Sequence, residues 1–185
     1  MIRRLVSAAI VALVLALACS TGAYAATVSI IDARQDMWAL TEDPRVRAPG
    51  QQLGDIRRTT IVHGPRAVSM RISFVELRRA GEWYTFDAEL RTNAGTWLFV
   101  TVWPYRQHWR GELDVSRRNC GVTRRVDYGQ DVLKLRIPRT CLNGPRWVQA
   151  RVTSLHQRSS DLTVFGDSAH SVGPRASWSS RVRRG

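Results

Sequence analysis

Between Trp97 and Arg110 the chain sets Trp97, Phe99, Trp103, Tyr105, His108 and Trp109 in close succession, with Arg110 beside them. Flat rings next to a guanidinium suit stacking on sugars or other flat apolar ligands. If the run is a strand, Trp97, Phe99 and Trp103 share one face and Leu98, Val100 and Val102 the other, and one face must be core. Trp97 reads as a core residue. Trp103, Tyr105, Trp109 and Arg110 form the first-choice ligand platform, with core packing the competing reading for Trp103. A second candidate surface is cationic. If Leu133, Leu135, Ile137, Val148, Ala150 and Val152 face inward, then Lys134, Arg136 and Arg151 face outward near Arg125, a stripe able to hold an anionic polymer such as wall teichoic acid or extracellular nucleic acid.

Catalytic signatures are scarce. There is no Gly-x-Ser-x-Gly elbow, His-Glu-x-x-His, phosphate-binding Gly-rich loop or dinucleotide fingerprint. The four histidines, His63, His108, His156 and His170, stand singly. Asp87 and Glu89 share a face with Arg91, which reads as a solvated charge ladder rather than an acid/base pair. The enzymatic alternative is a small extracellular hydrolase assembled from scattered residues such as His63, Asp127 and His108. Asp32, Asp36 and Asp55 flank the first strands, where oxygen ligands can gather calcium. Asp32-x-x-x-Asp36 lacks the glycine and dense Asp/Asn spacing of a dedicated loop, so ordinary loop acids are the expectation, with no metal or cofactor.

These residues need strands to position them. Period-two alternation runs through Val68 to Phe74 and Tyr84 to Arg91, and Asn93-Ala94-Gly95 turns into Thr96 to Trp103. Asp55 to His63, Gly111 to Val115, Val122 to Tyr128, Val132 to Ile137 and Trp147 to Leu155 read as further strands, with Thr27 to Ile31 a short edge strand. About eight or nine short strands with regular turn signals predict an all-β, antiparallel, jelly-roll-like β-sandwich. Pro138 to Leu142 is the best helical turn, and Asp32 to Gln52 reads as a long loop. The domain reading is a signal peptide over 1–25, a sandwich over 26–158, and a C-terminal tail over 159–185, loose or docked by a small strand at Leu162 to Phe165.

The leader sets the chemical setting. Arg3 and Arg4, an apolar run from Leu5 to Ala18, and Ala23-Tyr24-Ala25 form a secretory signal with cleavage before Ala26. The apolar run is shorter than the ~20 residues of a spanning helix, so no membrane span is expected. Ala16-Leu17-Ala18-Cys19 resembles a lipoprotein box, but such boxes usually carry Leu where Ala16 stands, so anchoring through Cys19 is the lesser reading. Cleavage removes Cys19 and leaves Cys120 and Cys141 as a pair able to form a disulfide in an oxidising compartment. That bridge would close a loop of about 20 residues and contribute roughly 3 kcal/mol. Cleavage also lowers the net charge from +13 to +11 by removing two arginines. Lys134 is the only lysine, and GC-rich codon usage is the preferred explanation for the excess of arginine.

Gly54-Asp55-Ile56, Val62-His63, Asp127-Tyr128-x-x-Asp131, Ile137-Pro138-Arg139-x-Cys141-Leu142, Pro145-Arg146-Trp147-Val148 and the terminal Arg181-Val182-Arg183-Arg184-Gly185 carry a further likeness. In these short motifs the chain resembles a broad set of small, secreted, uncharacterised β-sandwich proteins of actinobacteria. The resemblance implies extracellular location, a sandwich fold and the cysteine pair, and brings no reaction with it. The reading is therefore a secreted, basic, non-enzymatic binding or interaction module. Its expected partner is a cell-wall glycan or an anionic polymer, with a protein partner as the further option.

Overall fold

Alternation of apolar and polar side chains decides the architecture. In the strand Trp83–Thr92 and again in Trp147–Gln157, every second residue is buried without interruption. Such strands gain most by pairing with each other and turning their apolar faces the same way. They do so in register over ten residue pairs, from Val148 opposite Thr92 to Gln157 opposite Trp83.

The computed structural model describes residues 25–40, 46–171 and 176–185, so the leader other than Ala25 lies outside the described residues. Twelve strands form two antiparallel sheets. They are β1 (Ala26–Ile31), β2 (Trp38–Leu40), β3 (Ile56–His63), β4 (Ala67–Phe74), β5 (Trp83–Thr92), β6 (Trp97–Tyr105), β7 (His108–Val115), β8 (Thr123–Asp127), β9 (Val132–Pro138), β10 (Trp147–Gln157), β11 (Val164–Ser168) and β12 (Val182–Arg183). The first sheet has the order β1-β3-β4-β9-β8. The second runs β2-β11-β10-β5-β6-β7, with β12 also paired to β10. A 3-10 turn at Arg139–Leu142 leads from β9 towards β10, where a helical turn was expected. The fold is the antiparallel sandwich that the sequence predicts.

The core lies between the sheets. Ile61, Met70, Ile72, Leu133 and Leu135 of the first sheet meet Phe86, Leu90, Leu98, Val100 and Val152 of the second, all essentially without solvent contact. Phe74 and Phe86 cross the interface with ring centroids 5.1 Å apart. Each lateral seam is closed by polar groups reaching across. On one side, Tyr128 of the β8–β9 turn donates its hydroxyl to the Trp109 carbonyl at 2.8 Å and Arg124 Nε donates to Gly111 O at 3.0 Å, tying β8 to β7. On the other, Asp167 of β11 accepts the Ile56 N–H of β3 at 2.6 Å.

Three expectations change. The segment from Asp32 to Gln52 is not wholly loop, because Trp38–Leu40 pairs with β11. A boundary after Arg158 would cut the β10–β11 hairpin, and the tail supplies both β11 and β12 to the second sheet. Trp97 is half exposed rather than core: Leu98 takes the inward position, and Trp97 turns out to meet the Trp178 indole edge-on at 5.4 Å. The core residues Leu98, Val100 and Val102 leave the bulky aromatic positions of β6 no place inside.

This orientation predicts opposite costs on the two faces of β6. Leu98→Ala should destabilise by about 2–5 kcal/mol through transfer and cavity terms. Trp103→Ala, at a half-exposed site, should cost less than about 1 kcal/mol in urea unfolding.

Candidate functional site

Cross-strand register assembles the cationic surface. On the outer face of the first sheet, Ser29 lies opposite Thr60, Thr60 opposite Arg71, Arg71 opposite Lys134, and Lys134 opposite Arg125. Three cations therefore stand side by side on β4, β9 and β8, spaced by neighbouring strands at about 4.8 Å. The next row brings Ser69, Arg136 and Thr123 together. Arg125 approaches Asp127 at 3.4 Å, whereas Arg71, Lys134 and Arg136 have no ion pair among the described residues. Together these side chains line a shallow concavity with Thr60 and Ser69.

Lys134, Arg136 and Arg125 meet as the sequence predicts, but Arg151 does not join them. It sits on the opposite sheet, where Glu89 holds it at 2.7 Å and its guanidinium lies over the Trp178 ring at 4.9 Å. Sequence reasoning aligned Arg151 by strand parity alone and could not know that β9 and β10 belong to different sheets. Arg71 was missed, although its place between buried Met70 and Ile72 marks it as outward.

The outer face of the second sheet carries the aromatic groups. Trp97, Phe99 and Trp103 are about half exposed, and Tyr105 lies 5.6 Å from Trp103 and stacks on His108 at 5.2 Å. Beside Phe99 the smaller Thr101 leaves a notch lined also by Asp87, Glu89 and Thr153. Thr101 donates its hydroxyl to Asp87 at 2.6 Å, and burial raises the Asp87 pKa. Tyr105 donates to Glu112 at 2.8 Å. Trp103, Tyr105 and exposed Arg110 keep the predicted surface position. Trp109 leaves it: alternation in β7 turns its indole inward, edge-on to Tyr84 and Tyr128 at 6.3 Å each.

Acids form a third cluster, at the seam where the β2, β3 and β11 segments converge. Asp36, Asp55 and Asp167 are buried, with one carboxylate oxygen of each within 4.8 Å of the others, and Asp32 lies beside them. Burial sets these acids apart from the ordinary loop acids that the sequence suggests. Gly54 delivers Asp55: its φ of +87° is open to glycine, and its carbonyl accepts the buried Ser154 hydroxyl. Gly166 lets Trp38 lie directly on β11, where a Cβ would stand 2.3 Å from the indole, and so brings the Asp36 segment against Asp167.

Main-chain donors satisfy only part of the cluster. Asp55 accepts the Gln35 N–H at 2.8 Å, Asp167 the N–H groups of Ile56 and Ser168 at 2.6 and 2.7 Å, and Asp32 the His170 N–H at 2.9 Å. Two full charges 4.8 Å apart repel by roughly 3 kcal/mol at an effective dielectric near 20. Burial, aided by neighbouring carboxylates, pushes Asp167 up to about 8, Asp32 to about 7 and Asp55 to about 6. Burial alone raises Asp36, against the pull of the Arg47 guanidinium. Asp167 escaped sequence reasoning, although Gly166-Asp167-Ser168 inside a strand is a signal, since such residues are depleted there.

The hydrolase constellation is not assembled. His63 is buried at the end of β3 beside the Val182 carbonyl at 3.1 Å, Asp127 lies on β8 opposite Val132, and His108 is on the second sheet. Cys120 and Cys141 are neighbours, with the Cys141 thiol donating to the Cys120 carbonyl, and both are free thiols in this structure. Burial pushes Cys141 up to about 12.

No family model, curated protein or solved structure matches the chain. The surfaces themselves carry the functional argument.

His156 supports the loop that carries Asp55, through Gln51 Nε2 donating to its Nδ1 at 3.1 Å and a ring contact with Tyr84 at 4.6 Å. Burial lowers its pKa from 6.5 to about 4. Because the unfolded chain takes up the proton first, the stability gained by holding this ring neutral is complete above pH 6.5. It is lost as pH falls towards about 4, by about 3 kcal/mol. Imidazole resonances of His156 should stay unshifted from pH 8 to about 5, and in His156→Gln this part of the pH dependence should vanish.

Proposed function

We propose that this protein is a secreted, non-enzymatic binding module that holds an anionic polymer across the outer face of its first sheet. The carrying observation is the row Arg71, Lys134 and Arg125. Like charges directly opposite one another on adjacent strands destabilise a sheet. Nothing in the fold requires them there, and an array of phosphates would turn the mutual repulsion into attraction. Thr60 and Ser69 add hydroxyl donors to the lining. Binding of a poly(glycerol phosphate) or of DNA should weaken steeply with salt, and Arg71→Ala or Lys134→Ala should each reduce the slope of log K against log salt by roughly one. Affinity unchanged from low to high salt would overturn this reading.

A second reading rests on the notch beside Phe99. An exposed ring flanks hydroxyl and carboxylate groups there, a setting for a neutral glycan that stacks and hydrogen-bonds. The two faces separate cleanly in experiment: glycan binding should ignore salt, disappear in Phe99→Ala and survive in Arg71→Ala.

Export belongs to the same proposal. β1 begins at Ala26, directly after the predicted cleavage point, and hydrogen-bonds to β3 along its length. The mature protein recovered from the medium should begin at Ala26. With Cys120 and Cys141 adjacent, its intact mass should be lower by two hydrogens than that of the reduced chain, and reduction should cost about 3 kcal/mol of stability. Alkylation of both cysteines without reductant would contradict the disulfide.

A further inference from the structure

We propose that Asp36, Asp55 and Asp167 bind a calcium-class divalent cation that joins the two sheets at their lateral seam. Neither oxygen of Asp36 has a hydrogen-bond partner on another residue, and Oδ1 of Asp55 and Oδ2 of Asp32 are likewise without one. Asp36 is 7% exposed and Asp55 is fully buried, so water does not fulfil those oxygens from outside. A buried carboxylate with both oxygens unpaired is costly as an anion without a cation beside it, and as a neutral acid it still leaves a buried hydroxyl and carbonyl without partners. Arg47 and Arg34 are near enough to attract Asp36 and Asp55, but neither forms an ion pair with the cluster among the described residues, so no basic side chain occupies the place between the carboxylates.

The donor chemistry selects the ion. Every ligand is a carboxylate oxygen, with no imidazole or thiolate among the three, so the site suits a hard cation rather than zinc or copper. Asp167 spends one lone pair of each oxygen on N–H groups and keeps others for a metal. Calcium accepts irregular oxygen sets and sheds its waters more readily than magnesium, which fits a closed, anionic seam. Asp32 stands just outside and adds negative charge.

Position gives the ion its task. Asp55 leads into β3 of the first sheet, Asp167 lies on β11 of the second, and Asp36 precedes β2 at the edge of the second. One cation among them would bind three segments far apart in sequence, much as a cross-link does. This inference is independent of either binding face, and leaves the anionic-polymer and glycan readings unaffected.

The test uses the folded chain after chelation, titrated calorimetrically with CaCl2 and with MgCl2, with melting followed in parallel. Expected are one calcium site per chain, a melting temperature that rises with calcium, and weaker binding of magnesium. Asp36→Asn and Asp55→Asn should each weaken calcium at least about tenfold, and should melt no lower than wild type in chelator, since each removes a repelling charge. Asp114→Asn, on the far face of the second sheet, should bind as wild type does. No heat and no melting shift up to about 10 mM calcium, beyond the weakest extracellular sites, would overturn the proposal. So would unaltered calcium affinity in both Asp36→Asn and Asp55→Asn.

Discussion

The inward faces of the two sheets are apolar almost without exception, and every other feature of the protein follows from keeping them together. Burying an apolar side chain yields roughly 1.5–3 kcal/mol, and more than twenty residues share this core. Strands β5 and β10 supply its centre, since their unbroken alternation tolerates only one orientation: a slip of one residue would expose Phe86, Leu90 and Val152 together. Register fixed by this constraint also fixes what faces outward. The cations of the first sheet and the rings of the second are lined up because their inward neighbours must be.

Two chemically unlike surfaces result, on opposite sides of a layer of hydrocarbon. The layer between them keeps the two faces from meeting on one small ligand. The seams between the sheets are where polar groups go inside, and they differ in kind. The β7–β8 seam is closed by neutral or cationic donors reaching main-chain carbonyls, all of them partnered. The opposite seam collects carboxylates whose oxygens are only partly used.

Most of the strand inventory was legible in the sequence, because period-two alternation is the direct imprint of a sheet with one dry face. β3 to β10 appear close to their predicted limits, except that β7 begins three residues early, at His108, and Lys134, Arg136 and Arg125 fall together as their parity requires. What was not legible depended on which strand joins which sheet. Arg151 has the parity of an outward cation, yet β10 pairs with β5 rather than β9, so its partner is Glu89. Trp97 and Trp109 were misplaced for a related reason: an indole is large enough to be core or surface, and only the neighbouring strand decides. The three-residue β2 is too short for any periodicity to show, and without it the meeting of Asp36 with Asp167 has no basis in the sequence.

β10 has two edges. One is paired throughout with β5, while the other is shared by β11 near Gln157 and β12 near Trp147. In the interval between them, Ser179 exchanges hydrogen bonds with Ala150, and Ala169 N–H reaches the Val152 carbonyl. The C-terminal segment is therefore a selvage that keeps the longest strand of the sheet from fraying into other chains. Proteolysis ahead of Ser179 would bare main-chain donors and acceptors beside an apolar face, the condition under which one sandwich recruits the next into an open-ended stack.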